Sequence, residues 1–335
     1  MHKRIFKKLN SRLHSGIIQY VYEMIVSLFD KSIRVCFTNF WYAAKPEHYP
    51  FLEIIRNTCP LFRVVKCYKP HIEIFSAFGD KKKLLDSRAL IKIFFTGENV
   101  NRISTQYIQY QGNCVDTVDL SMGFDPHEAE NYIRYPLWLL YFFPTDSSRD
   151  AIQKILKNFN RTYKKSKFCT LIARHDKNGI RTRIYNSISE ISHVDSSGKL
   201  LHNDDTLRSI YNNDKNIYLQ QYKFNICPEN SINDGYVTEK IFQSLYSGCI
   251  PIYNGWSRDP EPGIINPNII MWYDESDEEN NKYTMNEVRR LHENDKLYRS
   301  FIEQPFFCDT AVDKIYNFNT QLNLKMQGLL QKINA

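Results

Sequence analysis

Several things are missing from this 335-residue sequence, and each absence removes a class of function. No stretch approaches the ~20 consecutive apolar residues that a bilayer-spanning helix needs. The best candidate, Ile17–Phe29, is too short and carries Gln19 and Glu23. No small-residue cleavage site follows an uninterrupted apolar core, so nothing reads as a signal peptide. There is no G-x-G-x-x-G and no G-x-x-x-x-G-K-[ST], which leaves a dinucleotide dehydrogenase or a P-loop NTPase unsupported. Internal repeats and low-complexity tracts are absent. The eight cysteines (36, 59, 67, 114, 169, 227, 249 and 308) are scattered, with no C-x-x-C pair. No Cys/His cluster has ligand spacing, so no metal site is expected. Several of these cysteines sit in apolar runs such as RVCF, KFCTLIA and FNICP, as buried reduced thiols do.

The chain is 42% hydrophobic and 14% aromatic, ample for a large core, and its length suggests about two domains. The net charge of +7 favours acidic partners such as phosphates or anionic lipid. The basic residues form no long run and no nucleic-acid motif, so nucleic acid is not an expected partner. The N-terminal segment MHKRIFKKLNSRLH is basic and amphipathic. It suits either contact with an anionic membrane face or an ordinary solvated end.

Short apolar runs bounded by turn signals alternate with helical patterns along the chain. Strands are expected at Ser32–Phe37, Phe62–Cys67, Ile72–Phe75, Leu90–Phe95 and Thr117–Leu120. Helices are expected at Phe51–Asn57 and Ala151–Phe159, with the aromatic stretch Tyr135–Phe143 closing the first domain. A second domain opens at Phe168–Ala173, followed by helices at Thr182–Ile191 and Leu207–Asn212 and a strand at Ile269–Trp272. Asp274–Glu279, with five acidic residues in six, reads as a solvated loop. Tyr283–Phe301 and Ala311–Ile333 have helical spacing; the latter suits packing across both domains or lying on a membrane. Buried strands alternating with helices in two successive halves predict an α/β architecture of two Rossmann-like domains facing a central cleft. The expected boundaries are 1–31 for the basic segment, 32–150 and 165–305 for the two domains, and 306–335 for the C-terminal helical segment.

The richest stretch is Phe224–Gly255, FNICPENSINDGYVTEKIFQSLYSGCIPIYNG. An apolar strand ends at Pro228-Glu229-Asn230, and a helix opens at Thr238-Glu239-Lys240. Thr238 suits an N-cap. A lysine in the first helical turn opposes the helix dipole, which makes sense if a bound phosphate supplies negative charge. Glu239 next to a phosphate makes sense if its carboxylate accepts from ribose hydroxyls. Tyr236 would offer a ring face or hydroxyl at the pocket edge.

This run, P-E-N-x-x-x-x-x-Y-V-T-E-K followed by G-x-I-P-I, resembles the signature of the α-1,3/1,4-fucosyltransferase family. Three further stretches agree in order and spacing. Phe95-Thr-Gly-Glu-Asn99 resembles the family's T-G-E-N segment, Arg181 matches the arginine that ends its S-N-x-x-x-x-x-R segment, and His193–Gly198 resembles its V-D-S-x-G stretch. The resemblance covers about residues 33–305. It departs at Arg174 and His175, where the family often has Ser and Asn, and T-G-E-N here lacks the proline that often follows. C-terminal heptad repeats seen in some bacterial relatives are absent.

The resemblance implies a GT-B fold and an inverting transfer of L-fucose from GDP-fucose, with no obligatory metal. It implies that Arg181 and Lys240 hold the diphosphate and Glu239 the ribose. Asn230, Tyr236, Val237 and Thr238 would complete the donor pocket, with Glu229 near the fucose. Arg174 would be an extra phosphate contact or a solvated surface residue. Glu98, at the carboxyl end of a buried strand, would be the catalytic base. For the acceptor, Trp41 and Tyr42 form the best aromatic platform, with His127 and Glu128 as weaker candidates. The implied acceptor is an N-acetylglucosamine-containing oligosaccharide, joined in an α-1,3 linkage. A GT-B transferase using another GDP-sugar, or a catalytically silent nucleotide-sugar-binding protein, is the alternative. The resemblance to bacterial members implies action at the cytoplasmic side, and peripheral membrane contact through the basic N-terminus or the last helix is a separate expectation.

Overall fold

The computed structural model describes residues 21, 31–41, 51–102, 105–159 and 164–334. The expectations for the basic N-terminal segment and for Tyr42 therefore lie outside the described residues. The chain divides into two compact units. The first holds the chain up to Gly123, His127–Tyr135 and Asn319–Ala335, and the second holds Phe124–Pro126 and Pro136–Phe318. Residues 136–150, assigned above to the first domain, thus belong with the second unit. The C-terminal segment is shared, 306–318 with the second and the rest with the first.

In the first unit, six strands form one parallel sheet: β1 (Ile33–Thr38), β2 (Phe62–Val64), β3 (Ile72–Phe75), β4 (Ile91–Phe95), β5 (Leu120–Gly123) and β6 (Tyr132–Arg134). Their spatial order is β2-β1-β3-β4-β5-β6. Helix α1 (Leu52–Thr58) buries Leu52, Ile54 and Ile55, and a one-turn helix α2 is Lys82–Leu85. Phe75, Phe94, Val100, Tyr110 and Cys114 pack together in a core between the sheet and the 3₁₀ segment Gln106–Cys114. Strand β5 lies three residues later than expected, and β6 was missed; at three residues it is too short to show a period.

The second unit begins with α3 (Leu137–Phe142), a helix where only an aromatic stretch was read, and α4 (Arg149–Phe159). Trp138 stacks on Phe242 at 4.3 Å and donates its indole N–H to buried Glu261 at 2.8 Å. The elements that follow are β7 (Lys167–Leu171), α5 (Ile180–Ser189), β8 (Val194–Ser196), α6 (Thr206–Ser209), α7 (Lys215–Leu219), β9 (Tyr222–Ile226), α8 (Glu239–Tyr246), β10 (Ile250–Tyr253) and β11 (Met271–Trp272). The sheet is again parallel, in the order β11-β10-β9-β7-β8. Cys169, Leu171, Ile184, Phe224, Ile226 and Ile252 lie in its core, because strands covered on both faces need apolar side chains on both.

Helices α9 (Glu278–Glu293), α10 (Asp295–Glu303) and α11 (Ala311–Asn334) close the described chain. The acidic run at 274–279 is not simply a loop. Asp277 caps α9 by accepting from the Asn280 N–H at 2.9 Å, and Glu278 and Glu279 form its first turn, where the dipole favours anions. The helix expected across Tyr283–Phe301 is broken at Asn294, whose side chain caps α10. Ala311, Ile315, Leu322, Met326 and Leu330 of α11 are buried, so its apolar stripe is already used within the protein. Among the described residues no helix is long and apolar enough to cross a membrane. Cys36, Cys59, Cys114, Cys169, Cys227 and Cys249 are buried free thiols.

Candidate active site

In the second sheet the chain moves from β7 outward to β8, then returns to the other side of β7 to form β9. Such a reversal leaves a crevice at the carboxyl ends of the two strands, where open α/β sheets take ligands. A pocket with ≈ 460 Å³ of empty space lies there. Its floor is Leu171 and Ile172 at the end of β7 and Ile226, Cys227 and Pro228 at the end of β9. Arg181, Glu239 and Lys240 line it together, and Lys215, Leu219 and Gln243 complete the wall.

Both cations occupy the second position of a helix, Arg181 in α5 and Lys240 in α8. Each opposes its own helix dipole, so the pair has no helix-stabilising purpose and suits an anion bound between two helix starts. Helix α5 starts at Gly179 in the left-handed region (φ 79°), with Asp176 accepting from the backbone N–H groups of Arg181 (3.2 Å) and Thr182 (2.8 Å). Burial alone would raise the Asp176 pKa, but these hydrogen bonds outweigh it and hold it below the ordinary carboxylate value. Arg181 is 7% exposed, and its guanidinium donates to the His175 carbonyl and to Asn230 Oδ1, the latter at 2.6 Å. Burial lowers its pKa.

Helix α8 starts differently from the expectation. Thr238 occupies the N-cap position, but its hydroxyl makes no capping bond. It donates to Glu229 Oε2 at 2.7 Å and accepts from Lys240 Nζ at 2.8 Å. Lys240 Nζ also reaches Glu229 Oε2 at 3.0 Å. Burial would lower the lysine's pKa, yet the Glu229 carboxylate more than compensates and raises it. Glu229 is 2% exposed. Tyr236 and Val237 are buried as well, and Tyr236 meets Phe124 edge-on at 4.8 Å instead of standing at the pocket rim. Arg174 is exposed.

The V-D-S-S-G stretch braces the sheet. Asp195 on β8 accepts from Lys167 (2.7 Å) and Tyr222 (2.7 Å), and Ser196 donates to the Leu200 carbonyl at 2.6 Å. Gly198 is required by close approach: a Cβ there would lie 1.9 Å from the Ala173 carbonyl oxygen.

In the first unit, Glu98 follows the carboxyl end of β4 and is half-buried. Its N–H donates to Thr96 Oγ1 at 3.0 Å, and that hydroxyl returns a bond to the Glu98 carbonyl at 3.1 Å, so the turn is rigid. Tyr107 lies close enough for Glu98 to add to the rise in its pKa, which burial dominates. Trp41 follows the carboxyl end of β1, stacks on Phe40 at 5.2 Å and sits 6.0 Å from Phe95. Glu98 and Trp41 therefore share one edge of the sheet. His127 does not join them. Its ring rests 5.0 Å from that of Tyr132, the first residue of β6, towards the amino ends of the strands, and neighbouring Glu128 is likewise exposed. Among the described residues no group of His, Cys, Asp and Glu is placed to hold a metal ion.

Lys215 and Gln243 escaped the sequence reading. Lys215 starts a five-residue helix with too little periodicity to detect. Gln243 lies one turn beyond Glu239 on the same face, a spacing that could have pointed to it.

Comparison with known proteins bears on what this site is. The model of the α-(1,3)-fucosyltransferase FucT N-terminal domain matches residues 35–141, and that of glycosyltransferase family 10 (fucosyltransferase) C-term matches 161–316. The chain is 26% identical over 281 residues to α-(1,3)-fucosyltransferase FucT of Helicobacter pylori, covering 75% of this chain and 54% of that protein. It thus spans about half the length of that relative. It is 27% identical over 242 residues to a putative fucosyltransferase of Acanthamoeba polyphaga mimivirus, covering 69% of this chain and 36% of that one. A crystal structure of an α1,3-fucosyltransferase superposes with a TM-score of 0.59 at 21% identity, covering 88% of this chain and 90% of the other, which shows the GT-B fold. Matched by the models of both halves of one family in the expected order, this chain belongs to glycosyltransferase family 10, the fucosyltransferases.

Proposed function

We propose that this protein transfers L-fucose from GDP-fucose, with inversion, to a hydroxyl of an N-acetylglucosamine-containing glycan, forming an α-1,3 linkage. The observation that carries this reading is the pocket at the carboxyl ends of β7 and β9, where Arg181, Glu239 and Lys240 converge at two helix starts. A related α1,3-fucosyltransferase has been crystallised with GDP-fucose. In this reading Arg181 and Lys240 bind the diphosphate, Glu239 accepts from the ribose hydroxyls, and Asn230 orients Arg181. As the anomeric C–O bond breaks, the electron pair leaves with the β-phosphate. The fixed cations and the N–H groups of the first turn of α8 stabilise that charge. Glu98 takes the proton of the acceptor hydroxyl as its oxygen attacks the opposite face of the anomeric carbon. Trp41 offers an aromatic face for the acceptor sugar's C–H groups.

Release of GDP from GDP-fucose, followed over a panel of acceptors, tests the reading. Turnover with an N-acetylglucosamine-containing acceptor is expected, and GDP-fucose left intact across the panel would refute it. We further infer action at the cytoplasmic side, with the basic N-terminal segment touching an anionic membrane surface. Sedimentation with anionic vesicles should be strong at low salt and weak at high salt. No binding at low salt would remove the membrane contact.

A further inference from the structure

We infer that Glu229 is a positioning residue that holds the phosphate-binding lysine in place, not a group that touches the sugar. This inference rests on the donor reading of the pocket. The carboxylate is 2% exposed and receives four donors. Oε1 accepts from the Thr238 N–H at 2.8 Å and the Tyr253 hydroxyl at 3.3 Å. Oε2 accepts from the Thr238 hydroxyl at 2.7 Å and Lys240 Nζ at 3.0 Å. An ionised carboxylate has about four acceptor sites, so none remains for a sugar hydroxyl.

Three of the four donors belong to the start of α8. Thr238 contributes both its N–H and its hydroxyl, which pins the helix's first residues. Lys240 spends two of its three ammonium protons on Glu229 and Thr238, leaving the third for a ligand oxygen. Tyr253, on β10, anchors the carboxylate to the sheet. Glu229 itself is fixed by its N–H, which donates to the Asn254 carbonyl at 2.9 Å. The lysine is therefore preorganised by a buried anion that a glutamine cannot replace. One of glutamine's two polar atoms is a donor, and it would face two of the four incoming donors.

The test is calorimetry with GDP and with guanosine, which lacks the diphosphate, on wild type, Glu229→Gln, Lys240→Ala, the double variant and Thr238→Val. Glu229→Gln should weaken GDP binding about tenfold or more and leave guanosine binding unchanged. The double variant should bind GDP no worse than Lys240→Ala, because the two residues act as one unit. Equal losses for GDP and guanosine, or additive losses in the double variant, would overturn the inference. So would a loss seen with GDP-fucose but not with GDP, since that would mark a contact with the sugar. If Glu229→Gln does not fold, Thr238→Val decides the matter, because it removes one link between Glu229 and Lys240 without stranding a charge. It should weaken GDP but not guanosine binding, and unchanged GDP affinity would refute the proposal. A wild-type protein that binds neither ligand would overturn the donor reading itself, and the inference with it.

Discussion

Glu98 and Lys240 carry charges that separate experiments can isolate. In the proposed mechanism, Glu98→Gln removes the base and no contact to the donor. Turnover should fall about 10²–10⁴-fold while GDP affinity by calorimetry stays at the wild-type value. Lys240→Ala should do the reverse first, weakening GDP binding on the order of 10- to 100-fold, because the proposed charge-assisted contact to phosphate is lost. Lys240 was legible in the sequence, since a first-turn lysine beside a glutamate is unusual without a ligand, whereas Glu98 stood out only through the resemblance of its T-G-E-N segment. Their hydrogen-bond partners were not. The Thr238 hydroxyl donates to Glu229 because a buried carboxylate left short of donors is costly. The preference of threonine for N-caps could not reveal this.

Two elements set the site's frame and can be loosened independently. Asp176 holds the start of α5, and with it Arg181. Asp176→Ala should cost about 1 kcal/mol at neutral pH, by chemical denaturation. Its carboxyl has a depressed pKa in the fold, so its contribution is complete above the ordinary value of 3.8 and fades as pH falls through the lower folded value. The stability gap between variant and wild type should therefore hold from neutral pH down to mild acid and close in strong acid. Gly198 holds β8 against the loop after β7. Gly198→Ala should cost about 1–3 kcal/mol, read as a lower Tm, since the Ala173 backbone has to shift to admit a methyl group. Strands with mostly apolar runs bounded by turn signals, such as β3 and β4, were readable from sequence. Short elements such as β6 and α7 were not, because a few residues carry no periodicity and packing alone decides their form.

At the scale of the whole molecule, the chain folds as two α/β units, each with a parallel sheet, and the last helix is divided between them. Removing Asn319–Ala335 should therefore damage the first unit despite its distance along the chain. The deletion takes away buried Leu322, Met326 and Leu330 and the Asn319 side chain, which accepts from the Tyr135 hydroxyl at 2.9 Å. At ~1.5–3 kcal/mol for each buried apolar side chain, the loss rivals the net stability of a domain. The truncated protein should unfold at markedly lower temperature or accumulate as aggregate, and a Tm equal to that of the full chain would show the helix to be dispensable.

The sequence by itself determined the class of fold and the residue types of the Phe224–Gly255 motif. Apolar runs on a parallel-sheet pattern, and charges set against helix dipoles, are local properties that survive without coordinates. Only the tertiary structure decided which residues meet. It placed Arg181, Glu239 and Lys240 in one pocket because β9 returns beside β7 after β8. It turned Tyr236 and Glu229 inward, and it set His127 towards the edge of its sheet opposite Glu98. The physical reason is that contact depends on strand order and burial, which are settled by packing among residues far apart in the chain.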